Sequence, residues 1–310
     1  MSTLFIFQTK IKNKLNLGYP KYTTAITRNF HTSTVKFSKI DFSYYLYRHP
    51  FHIVDNSPWP FFSAFSMLVV TLNLVASFLG FSSPLLFAIS FFIIIYCVIC
   101  WLSDVITEGT FEGFHTFAVR ENLKLGWILF ILSEIMFFSS LFWAFFHSAL
   151  SPTIFIGAIW PPLGTTPPSP WGIALLNTLL LLTSGASLTC SYFALRYGDK
   201  KRSIFNLIIT LFLGLLFTVA QLIEYKITPL HINDGIFGTC FYVTTGFHGL
   251  HVLIGSIFLL VCLFRLWNSH FTNTHHVGFI CANWYWHFVD IVWIAVYFFF
   301  YHWSQSGLVS

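Results

Sequence analysis

Charge is what this chain has least of. Charged residues fill 9% of its 310 positions, against about 25% in a soluble domain. That excludes a water-soluble globular fold. Acids are scarcest at the start, where none precedes Asp41, and no Lys or Arg falls between Lys124 and Arg196. A repeat at fixed period is missing as well, and with it the usual sign of an inverted-repeat transporter. Apolar and polar residues do not alternate in ~10-residue segments, as the strands of a membrane barrel would require.

What the chain has is apolar bulk: 56% hydrophobic and 20% aromatic residues. The bulk comes in runs of about 20 residues, the length that crosses a ~30 Å hydrocarbon core. Seven spans are expected, at 59–81, 85–104, 124–150, 172–195, 203–227, 236–267 and 278–303. The fold class is therefore an all-α membrane protein with seven transmembrane helices. The tight turn "GFSSP" makes a hairpin of the first two, while "DVITEGTFEGFHTFAVRENLK" is a longer polar break. The proline-rich "SPTIFIGAIWPPLGTTPPSPWG" reads as an ordered surface connection. The chain divides into a basic extension (1–48), spans one and two (49–104), a connection on the amino-terminal side (105–123) and spans three to seven (124–310).

Fifteen of the sixteen Lys and Arg fall before span one or in the connections on that same side, and only Lys226 falls on the other. Positive-inside bias places the amino terminus on the matrix or cytoplasmic face. An odd number of spans puts the carboxyl terminus opposite. The net charge of +5 thus belongs to membrane topology, and no nucleic-acid partner is expected. The first 39 residues hold seven of the cations and are rich in Ser and Thr. This segment is similar to a mitochondrial transit peptide; a retained basic arm is the other reading.

The six cysteines all fall in apolar runs. The pair in "CVIC", Cys97 and Cys100, has metal or redox spacing. Inside a span, buried thiols acting as small hydrophobes are the expectation, with no disulfides. In "GFHGLHVLIG", His248 and His251 stand at i and i+3. No second histidine pair at matching depth completes a metal or haem site, so no metal is expected. Hydrogen bonding between packed helices is the reading for both. In "NWYWHFVDIVW", His287 and Asp290 stand one turn apart, a local pair that lowers the cost of an acid in a span. Glu224 and Lys226, near the end of span five, are expected to reach interfacial water.

Glu134 is the most demanding residue. It lies ten residues into the apolar run that begins at Lys124, with no base within a turn or two. An ionised carboxylate at that depth costs about 2.5–3.5 kcal/mol even on insertion scales. A neutral, protonated acid facing the bundle interior or a cleft is expected. Arg265 sits at the amino-terminal-side end of span six, where a guanidinium snorkels or holds a lipid phosphate.

"SEIMFFSSLFWAFFHSAL", "IWPPLG", "TTGFHGLHVLIGS", "WYWHFVDIVW" and "HPFHIVDNSPWPFFSAF" together resemble the cytochrome c oxidase subunit III family, from about His49 to Trp303. The resemblance implies seven transmembrane helices, with a first hairpin splayed from a five-helix bundle (helices 3–7) to leave a cleft for phospholipid. It implies a core subunit without catalytic residues or cofactors of its own, in the mitochondrial inner membrane. Haem a, haem a3 and copper would lie in partner subunits, and the catalytic subunit I would be the main protein partner. It further implies that Glu134 is the membrane acid, that Glu108, His115 and Arg265 hold lipid head groups, and that His248 and His251 are the paired histidines. The sequence departs from the pattern at Phe114, at Ile280, in "TCSYFAL" and in its basic extension. Two other readings compete: a proton-coupled transporter using Glu134, His287 and Asp290, and a membrane electron carrier with its own haem.

Overall fold

A computed structural model describes residues 50–81 and 83–306. The basic extension 1–48 lies outside them, as does Ser310. The described residues are helical, with seven helices long and apolar enough to cross a membrane. They are α1 (Trp59–Phe78), α2 (Pro84–Thr107), α3 (Phe117–Leu150), α4 (Ile173–Arg196), α5 (Lys200–Ile227), α6 (Gly235–Trp267) and α7 (Val277–Val296). α2 runs on into a π-helical turn, Glu108–Glu112, and α7 into a π-helical segment, Tyr297–Trp303.

The helices reach further into the polar break than the apolar runs alone suggest. Only 113–116 separates the two helical stretches there. "FAVRENLK" contains no helix breaker, so α3 starts seven residues before Lys124. The stop comes from Gly113, whose φ of +75° ends the π turn. Other ends follow local chemistry. The Ser83 hydroxyl accepts from the Leu86 N–H ahead of Pro84 at the start of α2. The Asp199 carboxylate accepts from the Arg202 N–H at the start of α5. Gly80, at φ +77°, closes α1, with the Phe81 N–H donating back to the Ala76 carbonyl at 2.8 Å.

The described residues form two compact units, divided between Val119 and Arg120. In the first, α1 and α2 pack as a hairpin along a seam of small residues. Ser63, Ser66 and Val70 are buried from α1, and Ser90 and Cys97 from α2. The Trp59 indole N–H donates to Asp104 Oδ2 at 2.6 Å across the base of the hairpin. Cys97 touches Ser66 at 3.8 Å and all six thiols are free.

The second unit holds the core. α4 and α5 pack closely because their facing residues are small and polar. Ser187 meets Thr210 at 2.7 Å, and the Ser191 hydroxyl donates to the Ser203 carbonyl at 2.7 Å. Trp286 of α7 locks the bundle. Its ring lies over Gly214 of α5 and Gly255 of α6, where an added Cβ would meet ring atoms at 2.8 Å and 3.0 Å. Its N–H donates to Ser184 Oγ of α4 at 2.9 Å. α3 is held differently, by aromatic rings: Phe138 against Phe288, Phe142 against Phe299 and Phe145 against Phe300. The Trp127 N–H donates to the Cys281 carbonyl at 2.9 Å.

Candidate functional site

The base that Glu134 lacks on its own helix is supplied by another. Glu134 Oε2 lies 3.0 Å from His251 Nε2 of α6. The other ring nitrogen, Nδ1, is 2.7 Å from the Phe247 carbonyl. A carbonyl only accepts, so Nδ1 carries a proton. Nε2 then has two states. If it is bare, it accepts from a protonated Glu134; if it is protonated, it donates to an ionised one. One proton lies between the two groups in both cases, and the pair is neutral overall. Phe138 and Tyr285 rings face the imidazole at 5.0 and 6.3 Å. The Glu134 side chain is 22% exposed. Between α3 and α7, Ile131, Ile135, Phe138, His287 and Phe288 line an open apolar groove of about 440 Å³.

The two histidines of "GFHGLH" have separate partners. His248 is fully buried and its Nε2 donates to the Val289 carbonyl of α7 at 3.2 Å. Its ring packs on Trp293 and Phe217 at 5.1 and 5.7 Å. His251 turns to α3 instead. The spacing brings both onto one helix face but to different neighbours.

His287 and Asp290 meet as the local pair expected, with Nδ1 and Oδ2 3.5 Å apart. Gly185 makes room for them, since a Cβ there would stand 2.5 Å from Asp290 Oδ2. The Thr189 hydroxyl donates to the Gly185 carbonyl and lies 3.1 Å from His287 Nε2. With its hydrogen so used, Thr189 accepts from Nε2–H. Nδ1 then faces the carboxylate.

Glu224 corrects the sequence reading. It is not at the water interface but 4% exposed. The Tyr301 hydroxyl donates to its Oε2 at 3.1 Å. One turn earlier on α5, Gln221 Oε1 accepts from Asn177 Nδ2 of α4 at 3.0 Å. Lys226, two residues on, is exposed. The clue was Asn177 and Gln221 inside apolar runs: unpaired amides at that depth need each other.

Arg265 lies at the end of α6 with its guanidinium 4.4 Å from the centre of the Phe271 ring. Gly278 leaves space for it, since a Cβ there would meet Nη1 at 2.8 Å. Burial and then the Arg265 charge hold the His270 pKa below its usual value. Burial also depresses His276, with Arg196 and Lys124 acting in the same direction. Lys200 Nζ donates to the Trp267 carbonyl at 2.7 Å, and Arg120 Nη1 to the Thr274 carbonyl at 2.8 Å. This end of the second unit is a field of positive charge.

Glu108 and His115 belong to the first unit, and the structure adds His52 to them. The three offer ligand atoms that all lie within 4.8 Å of one another. Phe114, one of the departures noted above, stacks on His52 at 5.0 Å and 10°. Nothing in the local pattern around His52 points to this meeting, because Glu108 is 56 residues away in sequence.

Known proteins agree with the motif pattern. Residues 49–305 match the model of the family described as cytochrome c oxidase subunit III. "Cytochrome c oxidase subunit 3" of Prototheca wickerhamii is 50% identical over 260 residues, 84% of this chain and 99% of that protein. The protein of the same name from Pisaster ochraceus is 48% identical over 259 residues, 84% of this chain and 99% of its own length. That of Latimeria chalumnae is 48% identical over 257 residues, 83% and 98% of the two chains. With about half its residues shared along nearly the whole of these proteins, the chain belongs to the cytochrome c oxidase subunit III family.

Proposed function

We propose that this chain is a core subunit of the respiratory oxidase that performs no redox step itself and instead supports proton movement and the durability of the catalytic subunit. In this reading it lies in the mitochondrial inner membrane, packed on subunit I, which with other partners carries haem a, haem a3 and copper. The amino terminus faces the matrix and the carboxyl terminus the intermembrane space, a reading supported by the fifteen-to-one split of Lys and Arg.

The Glu134–His251 pair carries the proposal. Two titratable groups share one proton, largely buried at bilayer depth and neutral in sum. A proton passes from one group of such a pair to the other without placing net charge in the lipid. It has no electron to give. Glu134→Ala in the assembled oxidase is therefore expected to keep oxygen consumption while changing proton stoichiometry or hastening loss of activity during turnover. A hydrophobic carbodiimide, which reacts with protonated carboxyls in apolar surroundings, should label Glu134 ahead of Glu112 and Glu121. Labelling confined to those two would refute the neutral form. Co-purification with haem a separates this reading from a proton-coupled transporter.

Arg265 is the anchor for an anionic lipid phosphate. It stands in the positive field around 265–276, and its planar fork suits phosphate bidentately. Arg265→Ala should remove one tightly held phospholipid and loosen subunit association, read as phosphorus per haem in purified enzyme. Glu108 and His115, which the resemblance groups with Arg265, have a different chemistry. A carboxylate repels phosphate, and their own neighbourhood says what they take.

A further inference from the structure

We propose that His52, Glu108 and His115 form a binding site for a divalent transition-metal ion, zinc first among them, which clips the segment before α1 to the turn after α2. The inference does not depend on the lipid reading. The expectation of a metal-free chain came from histidines inside the spans, and this cluster stands apart from them.

The donors are the first argument. Two imidazoles and one carboxylate, with atoms all within 4.8 Å of one another, are a set that zinc accepts. Donors around tetrahedral zinc, each at about 2.0–2.1 Å, stand about 3.3 Å from one another. Rotamer adjustments of about 1 Å close the difference. Imidazole favours zinc, cobalt and nickel over magnesium and calcium. Three protein ligands leave a fourth position for water.

The second argument is the way the backbone brings the donors together. The Glu108 carbonyl accepts from both the Gly113 and the Phe114 N–H groups, which closes the π turn on itself. Gly113 reverses the chain through its positive φ and returns His115 alongside Glu108. Gly109 then lets the ring in: a Cβ there would lie 2.5 Å from His115 Nδ1. Only glycine leaves the place that the imidazole takes. His52 arrives from the other side, held by its stack on Phe114. The Thr116 hydroxyl donates to the Pro50 carbonyl, and Trp59 donates to Asp104. Three separate contacts thus lay 50–59 over the end of α2.

The test uses purified, assembled oxidase, cobalt(II) chloride as the probe and gel filtration to remove weakly held metal. Anomalous scattering at the cobalt edge in crystals locates the ion. One cobalt per chain is expected beside His52, Glu108 and His115. It should be lost in His52→Ala and Glu108→Gln. Gly109→Ala, which alters no ligand, should weaken it at least tenfold by displacing His115. His52→Cys restores a zinc ligand and should recover binding, which separates loss of the site from loss of the fold. Bound metal should also slow proteolysis within 50–58. Wild-type enzyme with no cobalt at these residues overturns the proposal. So does a His52→Ala enzyme that keeps its cobalt but loses phospholipid, which would make the cluster a head-group site.

Discussion

The hairpin α1–α2 and the closing helix α7 are built on opposite plans. α2 is the most hydropathic of the seven helices and α7 the least. Yet 11% of the apolar stretch of α2 is buried, against 61% of that of α7. A soluble protein sorts its helices the other way. When the surrounding solvent is hydrocarbon, pure apolarity gives a helix no reason to leave it. What draws a helix inward is shape and hydrogen bonding. α7 has both, in Trp286 on Ser184, Trp293 on Thr178 and Tyr301 on Glu224. The hairpin has small residues along one seam and bulky exposed side chains such as Phe61, Leu72 and Phe92 elsewhere.

The contrast predicts where substitutions are felt. The largest effect belongs to Trp286, which fills the space over Gly214 and Gly255. Trp286→Ala should cost about 3 kcal/mol in a denaturant titration of the assembled enzyme, and Gly255→Val should prevent assembly altogether. A Trp286→Ala enzyme of unchanged stability would break the comparison. An intermediate effect is expected at Glu224. Glu224→Leu strands the Tyr301 hydroxyl and should cost about 1–2 kcal/mol. Pairing it with Tyr301→Phe should recover part of that loss in a double-mutant cycle. The smallest effect lies on the hairpin. Leu72→Ala, 60% exposed in the isolated chain, should stay within about 0.5 kcal/mol. A larger loss there would show that a partner subunit packs on that face.

The same contrast explains what the sequence made legible. Seven spans follow from run length against bilayer thickness, and Glu134 stands out because no base lies near it in sequence. The His287–Asp290 pair is local, so its spacing revealed it. Helix rotation is another matter. An element apolar all round carries no stripe to say which way it faces. The partner of Glu134 is 117 residues away, and the burial of Glu224 depends on a tyrosine 77 residues on. His115 returns to Glu108 because a π turn and a positive-φ glycine fold the connection back, and His52 joins them through its stack on Phe114. Cross-helix meetings of that kind are set by packing.

The π-helical end of α7 has a genetic consequence. A π turn holds about one residue more than an α turn, and the Ser304 hydroxyl reaching back five residues to the Phe299 carbonyl follows that wider pitch. The segment stores the equivalent of one inserted codon that the helix absorbed without breaking. Each residue of a regular α-helix turns about 100°. An in-frame deletion of Phe298 would therefore return the end of α7 to ordinary pitch with Tyr301 still turned toward Glu224. The reading frame, the core up to Val296 and the donor to the acid on α5 would all survive.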